Sequence, residues 1–495
     1  MADSTNGRTD PRWSLFGTDP FPILLGDGLV AGSGGVGELV APHNRQVVGR
    51  FSVPDAGQIE QAVTAARAAV DGGAWSRLTG RDRGDLLRRL AELVEKHADE
   101  LAFLEAVDGG KAISGVRSND IAVSLEALDY FASRASFRAG AAVDTGDPVV
   151  HHRSRWEPVG VVLEILPWNG PLWTGVQRMA AILAGGNAAI LKPAELSSAS
   201  FLRLAQLITQ VGFPPGAVQV LPGPGRVVGE ALVTHPGVDL VSLTGGVQTG
   251  AHILGLTAAS IKRTVLELGG KNPNLVFADA DLPSAAMWSA IGGFSNSGQI
   301  CASGSRILVQ RPVYDEFLAA FVAHAESFVV GDPLDPDTQL GPVNGANQWD
   351  KIWEYVEIGR EQATVLTGGV RYDDPVRRDG WYIPPTVLAD VAPNCPAAVD
   401  EIFGPVVTVT PFDDTAEAIR LANDSRYGLT AGVFTSSLAT AGTVTDSLAA
   451  GQVFVNQWFG TGGVAIGSQG YKQSGLGGVG MEKYLQQKNV FTRLT

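Results

Sequence analysis

The chain of 495 residues reads as an α/β protein made of two successive modules, each a parallel sheet covered by helices. Three observations predict this. From Val159 onward, short apolar runs alternate with helical stretches, the βαβα rhythm of a parallel sheet. The rhythm restarts after Lys271, and the length suits two such modules. The composition, 45% hydrophobic and 18% charged, is that of a globular chain.

The elements follow in order. Roughly the first fifteen residues are polar and read as loose. Residues 20–51 are turn-rich and β-like. Asp55 is a candidate N-cap for a helix marked by Ile59, Val63, Ala66 and Val70. Leu86, Leu87, Leu90, Leu93 and Val94 mark a second helix, and 122–130 a third. Then come strand 159–165, helix 177–183, strand 188–191 and a serine-capped helix over 197–211. Strand 218–221, helix 227–234, strand 240–244, helix 248–259 and strand 264–268 complete the first module. The second opens with strand 274–277, helix 282–294, strand 305–309 and helix 314–329. Residues 331–337 are a polar loop dense in turn formers. The tail 489–494 alternates like an edge strand.

Composition narrows the function. The formal charge of −14 argues against nucleic acid or an anionic membrane surface as the main partner. No apolar stretch reaches about 18 residues without a polar break, so no membrane span is expected. The N-terminus lacks the basic-then-apolar pattern of a signal peptide, and a cytoplasmic protein is the expectation. The two cysteines, Cys301 and Cys395, cannot build a disulfide framework, a Cys-rich zinc site or an iron–sulfur cluster. They can still supply one reactive thiol, and no metal site is expected.

Glycine is abundant: 61 of 495 residues, about 12% against a usual level of about 7%. The dinucleotide string G-x-G-x-x-G occurs twice, at Gly32–Gly37 and Gly475–Gly480. Neither lies between a strand and a helix, so both read as turns. Thr244-Gly245-Gly246-Val247-Gln248-Thr249-Gly250 is better placed, after a strand and at the start of a helix. It fits either an ordinary tight turn or a phosphate contact at the helix N-terminus. Leu191-Lys192-Pro193-Ala194-Glu195 ends another strand, the edge where open α/β sheets bind ligands. Lys192 and Glu195 there suit a nucleotide ribose or a solvated loop pair.

Three side chains carry candidate chemistry. Cys301 lies between a helix and a strand among small residues, which leave a nucleophilic thiol the access it needs. Cys395, in Pro393-Asn394-Cys395-Pro396, has no such setting. Glu267 ends an apolar strand, where burial can turn a carboxylate into a general base. Asn169, in Pro167-Trp168-Asn169-Gly170-Pro171, offers an amide to an oxyanion, or serves only as a turn residue.

Together these stretches resemble one family. Pro-Trp-Asn at 167–169, Lys-Pro-x-Glu at 192–195, the Thr-Gly turn at 244–250 and Glu-Leu-Gly-Gly-Lys at 267–271 occur in the order the aldehyde dehydrogenase superfamily carries them. Phe-x-Asn-x-Gly-Gln-x-Cys at 294–301 and Glu-Ile-Phe-Gly-Pro-Val at 401–406 follow. Gly341-Pro342, Asn456 and the stretch 470–475 also match. The resemblance spans about residue 20 to the end.

The resemblance implies a Rossmann-like cofactor domain (1–142 and 156–268) and an α/β catalytic domain (269–482). A small β oligomerisation element would comprise strands 143–155 and 483–495, in a homodimer or homotetramer. It implies oxidation of a small aldehyde to a carboxylic acid, with NAD as cofactor and NADP possible. Cys301 would be the nucleophile, Glu267 the base that activates water, and Asn169 an oxyanion donor. Lys192, Glu195, Gly225, Gly245, Gly246, Leu268, Glu401, Phe403 and Trp168 would line the cofactor site. Trp173, Gln177, Trp458 and Phe459 would line the substrate tunnel and favour apolar aliphatic or aromatic aldehydes. Gly170 and Gln177 stand where relatives that cage betaine aldehyde have aromatics, which disfavours that substrate. The alternatives are a CoA-acylating (semi)aldehyde dehydrogenase and a non-redox cysteine acyltransferase or hydrolase. The sequence departs from the family pattern at Leu243, Gly246, Arg178 and 467–470.

Overall fold

The computed structural model describes residues 10–459, 463–467, 469–478 and 480–494. Ser468, in one of the departures, lies outside the described residues.

Among the described residues, eight strands form the first sheet. Its parallel centre runs Arg263–Glu267, Leu240–Thr244, Val161–Ile165, Ala188–Lys192, Val218–Val220. These strands are short apolar runs because both faces are covered by helices. Successive strands step outward one way from Val161–Ile165, then the other way from Leu240–Thr244. The chain reverses direction between those two strands, and a crevice opens there at their carboxyl ends. The antiparallel pair Ile23–Leu25 and Gly28–Val30 closes one edge, and Gly475–Leu476 closes the other.

The second sheet has seven described strands in the order Thr364–Thr367, Thr386–Ala389, Val406–Phe412, Arg306–Gln310, Pro273–Val276, Thr430–Phe434, Gln452–Val455. All neighbours are parallel except the first two. A two-stranded ribbon pairs Val150–Pro158 with Leu485–Arg493 and lies outside both sheets. The strand expected over 143–155 therefore starts later, at Val150, and runs on to Pro158, continuing directly toward the sheet strand at Val161.

Local sequence accounts for several helix starts. Asp55 caps Ala56–Val70 with a reciprocal box: its carboxylate accepts from Gln58 N–H at 2.8 Å, and Gln58 Oε1 accepts from Asp55 N–H at 3.1 Å. The helix Ala199–Val211 is a correction. Its serine at the cap makes no side-chain cap bond. The remote Asp108 takes that place, accepting from Ala199 N–H at 2.9 Å. The helix expected over 227–234 begins with a wider π turn, Gly225–Gly229, before Glu230–Thr234.

Neither glycine string leads from a strand into an α-helix. The first runs into the strand Gly35–Ala41, and Gly32 packs so closely on Val53 that a Cβ would strike its backbone. The second contains the edge strand Gly475–Leu476.

Candidate active site

The two modules meet across a cleft. The first contributes the carboxyl ends of its strands, and the second contributes the loops that precede its strands. Asn169 stands in the turn after Val161–Ile165, and Pro171 starts the next helix at a position that needs no N–H. Its Nδ2 donates to the Gln299 carbonyl at 2.9 Å, and Asn296 Nδ2 donates to the Asn169 carbonyl at 3.1 Å. Asn169 is thus tied at both ends to the loop that carries Cys301.

That loop is strained and heavily braced. Asn296 and Ser297 adopt left-handed backbone with φ of 51° and 54°, a conformation that costs roughly 1–2 kcal/mol per non-glycine residue. Ser297 Oγ donates to the Gly341 carbonyl at 2.7 Å, and Gln299 Oε1 accepts from Asn344 N–H at 2.8 Å. On the other side, Asn272 Nδ2 donates to the carbonyls of Cys301 and Ser303, each at 2.8 Å.

Cys301 keeps some surface exposed. Its thiol is pushed up to about 12 by burial first, then by the Glu401 and Glu267 carboxylates, while the N–H groups of Ala302 and Cys301 oppose the rise. The resting sulfur is therefore a thiol, aimed at backbone donors that favour the thiolate once a proton leaves. Cys395 is buried at the start of a short helix, Pro396–Val399.

Glu267 ends its strand and pairs with Gly475 on one side and Thr244 on the other. Its carbonyl accepts from Gly245 N–H at 3.0 Å, and Leu268 N–H donates to Ser474 at 2.9 Å. Burial raises its carboxyl above the ordinary range, Arg178 and Lys483 pull it down, and Glu164 adds a smaller rise. Glu401 Oε1 accepts from Gly270 N–H at 3.0 Å, and its side chain covers Gly269 so closely that a Cβ there would collide with it. Lys351 Nζ donates to the Glu401 carbonyl at 2.8 Å. Phe403, with φ of 60°, meets Trp168 edge-on across the cleft at 5.2 Å between ring centroids.

The residues expected to hold a dinucleotide gather at the neighbouring strand ends. Lys192 is buried, with Pro193 O at 3.1 Å as its hydrogen-bond partner, and burial lowers its amine to about 8. The exposed Glu195 accepts from Gly225 N–H at 3.1 Å. Thr244 Oγ1 is buried without a partner. Gly225 and Gly246 face open space, and Gly246 caps the helix Val247–Ala258 without a side-chain bond. Leu268 is buried against Gly250. A partly satisfied cation, an exposed carboxylate, an orphan hydroxyl and a bare helix N-terminus fit a ribose and a pyrophosphate.

Trp173, Gln177 and Phe459 are partly exposed, and the Trp173 indole lies over Gly170 where a Cβ would collide with it. Trp458 departs from its expected place in the tunnel wall. It is 0% exposed, lies on the backbones of Gly292, Gly304 and Gly432, and donates from Nε1 to the Ala302 carbonyl at 3.1 Å. It props the cysteine loop from behind. Glycines at the three facing positions give the indole its berth, and no local pattern around Trp458 announces them. Sequence alone assigns no individual role to Asn272, Gln299, Lys483 or Tyr484. Asn272 lies just beyond the Glu-Leu-Gly-Gly-Lys run and Gln299 within the Cys301 motif, so motif adjacency was a usable signal for those two alone. Among the described residues, no three His, Cys, Asp or Glu side chains come together as a metal site would need.

Comparison with known proteins decides the family. Residues 30–490 match the profile of the Aldehyde dehydrogenase family. The chain belongs to the aldehyde dehydrogenase family. It is 40% identical over 486 residues to an aldehyde dehydrogenase of Emericella nidulans, covering 96% of this chain and 95% of that one. It is 36% identical to a betaine aldehyde dehydrogenase of Bacillus subtilis, covering 92% and 93%. Betaine aldehyde dehydrogenase of Staphylococcus aureus, solved in complex with NAD+, superposes with a TM-score of 0.94 at 35% identity, covering 97% of this chain and 96% of that one. A mutant aldehyde dehydrogenase of Bacillus cereus gives 0.94 at 36% identity, covering 98% and 99%. This aldehyde dehydrogenase is therefore a nicotinamide-dependent oxidoreductase that works through a cysteine.

Proposed function

We propose that this enzyme oxidises apolar aliphatic or aromatic aldehydes to carboxylic acids with NAD, and that Cys301, Glu267 and Asn169 perform the chemistry. The observation that carries the proposal is the pair of hydrogen bonds tying Asn169 to the Cys301 loop; the Glu267 carboxylate acts on the charge of the same thiol. Cys301 releases its proton to solvent, and its sulfur bonds to the aldehyde carbon as the carbonyl π pair moves to oxygen. The Asn169 amide and the Cys301 N–H stabilise the oxygen that becomes negative. NAD, held by the residues named below, would supply the acceptor for the hydride that this carbon gives up. Water then attacks the thioester, Glu267 takes its proton, and the acid leaves as the thiolate returns.

Lys192, Glu195, Gly225, Thr244, Gly245, Gly246 and Leu268 would hold the adenosine and pyrophosphate, with Glu401, Phe403 and Trp168 at the nicotinamide end. The Glu195 carboxylate repels a 2′-phosphate, which supports NAD over NADP. Glu267 supports hydrolysis over transfer of the acyl group to CoA. The apolar rings of Trp173 and Phe459, with the uncharged Gln177, support an uncharged substrate.

No helix among the described residues is long and apolar enough to cross a membrane. A free reactive thiol needs a reducing compartment, which supports a cytoplasmic enzyme. The ribbon of Val150–Pro158 and Leu485–Arg493, with Phe491 exposed at its end, is the surface on which we place homodimer or homotetramer contacts.

A panel of aldehydes with each cofactor, followed at 340 nm, tests the reading. Hexanal and benzaldehyde with NAD should give the highest kcat/KM. Succinic semialdehyde as the better substrate would overturn the substrate class. Full turnover by Cys301→Ala would overturn the mechanism.

A further inference from the structure

Behind Glu267 lies a buried set of charges that the reaction as written does not use. Four elements meet there. The strand Val161–Ile165 supplies Glu164, the helix Pro171–Ala184 supplies Arg178, the strand Arg263–Glu267 supplies Glu267, and the turn Met481–Tyr484 supplies Lys483 and Tyr484. Lys483 is 3% exposed, and its Nζ has no hydrogen-bond partner. It lies 5.0 Å from the centre of the Tyr484 ring. The Tyr484 hydroxyl donates to Glu164 Oε2 at 3.0 Å, while Glu164 Oε1 and Arg178 Nε are buried and unpartnered.

The turn is held in place from the strand that ends at Glu267. Arg263 donates to the carbonyls of Lys483 at 3.3 Å and Leu485 at 2.8 Å. At the other end of that strand, Glu267 pairs with Gly475 of the same C-terminal segment. The backbone of the Lys483 turn is thus tied to the same strand that carries Glu267. An amino group in this position is costly to bury without an acceptor. Buried away from bulk solvent, its charge acts strongly on nearby carboxylates.

We propose that Lys483, together with Arg178, is a positioning residue for thioester hydrolysis: its buried charge makes Glu267 competent to take a proton from the attacking water. The inference rests on the reading of Glu267 as the general base. Burial and the Arg178 charge lower the Lys483 amine to about 7, and Glu164 and Glu267 oppose them. The Lys483 charge is accordingly present below about pH 7. That is the range in which a buried carboxyl most needs a cation to stay ionised. Above it the lysine becomes neutral, and Arg178 alone keeps a permanent charge beside the carboxylate. Removing the lysine charge must raise the pH at which Glu267 ionises.

Hydrolysis of p-nitrophenyl acetate tests this without cofactor. The Cys301 thiolate bonds to the acetyl carbon and expels p-nitrophenolate, and water with Glu267 then releases acetate and restores the sulfur. Lys483→Met should keep the initial p-nitrophenolate burst and slow the steady phase roughly tenfold near neutral pH, with the acid limb moved up by about one unit. Lys483→Arg should restore the wild-type profile. A Lys483→Met enzyme with a full burst and an unshifted acid limb would overturn the proposal. Glu164→Gln gives a second reading in the opposite direction. It removes a negative neighbour, so the acid limb should fall, and an unmoved limb would also count against the cluster. Failure of the underlying assignment looks different: Glu267→Gln would then leave the steady phase and its pH profile intact.

Discussion

The backbone N–H of Gly270 donates to the Glu401 carboxylate at 3.0 Å, and that carboxylate is the strongest charged influence keeping Cys301 protonated. The residue assigned to the nicotinamide end thus also governs the nucleophile. Alkylation of the resting enzyme by iodoacetamide should be slow at neutral pH and rise about tenfold per pH unit, because only the thiolate reacts. Glu401→Gln removes a negative neighbour, lowers the thiol pKa and should accelerate alkylation at fixed pH. An unchanged rate constant would show that the charge does not reach the sulfur.

Glu267→Gln should form the acyl-enzyme and then stall. Stopped-flow absorbance at 340 nm should show one burst of NADH per active subunit, followed by a steady rate at least about 100-fold below wild type. Asn169→Ala should instead lower the burst rate itself, by roughly 100- to 1,000-fold, the usual effect of removing one oxyanion donor.

Gly246 caps Val247–Ala258 with no side-chain bond, and a side chain there meets open space. Gly246→Ser should add a few tenths of a kcal/mol as an N-cap. A new hydroxyl toward the pyrophosphate should tighten NAD by about 0.5–1.5 kcal/mol, readable as a Kd lowered about 2- to 13-fold by calorimetry.

Glu195 is the residue on which the proposed preference for NAD over NADP rests. Glu195→Ser should raise kcat/KM for NADP while lowering it for NAD, because a hydroxyl neither repels a 2′-phosphate nor accepts from two ribose hydroxyls. Wild-type preference for NADP would contradict the assignment.

Trp458→Ala should destabilise the protein by roughly 3–5 kcal/mol, the usual cost of emptying a buried aromatic site. It should also cost activity, because the Ala302 carbonyl loses its shorter donor and keeps only Thr430 Oγ1 at 3.4 Å beside Cys301. Urea unfolding together with thiol titration checks both effects.

The parallel strands were legible because they are continuous apolar runs ended by turn formers, and Leu282–Phe294 was located by residue. The helix Ala98–Gly109 was not anticipated. From Leu101 to Gly109 every residue is buried, so it shows no polar face to mark its period. Motif order singled out Cys301, Glu267, Asn169 and Glu401, whose neighbours in sequence carry the pattern. Lys483 and Tyr484 gave no such sign, because their meaning depends on Glu164 and Arg178 far away in the chain. Trp458 was misplaced for the same reason: an aromatic after a loop looks alike whether it faces a channel or three glycines.

The edge strand Gly475–Leu476 belongs to the first sheet, although the whole second module is synthesised before it. A nascent chain that has emerged only to residue 268 has the dinucleotide-facing loops but an unpaired strand at Glu267. That edge is a template for wrong pairing until Gly475–Leu476 has left the ribosome. Deleting residues 471–495 should therefore yield aggregates rather than a smaller working enzyme, as light scattering would report.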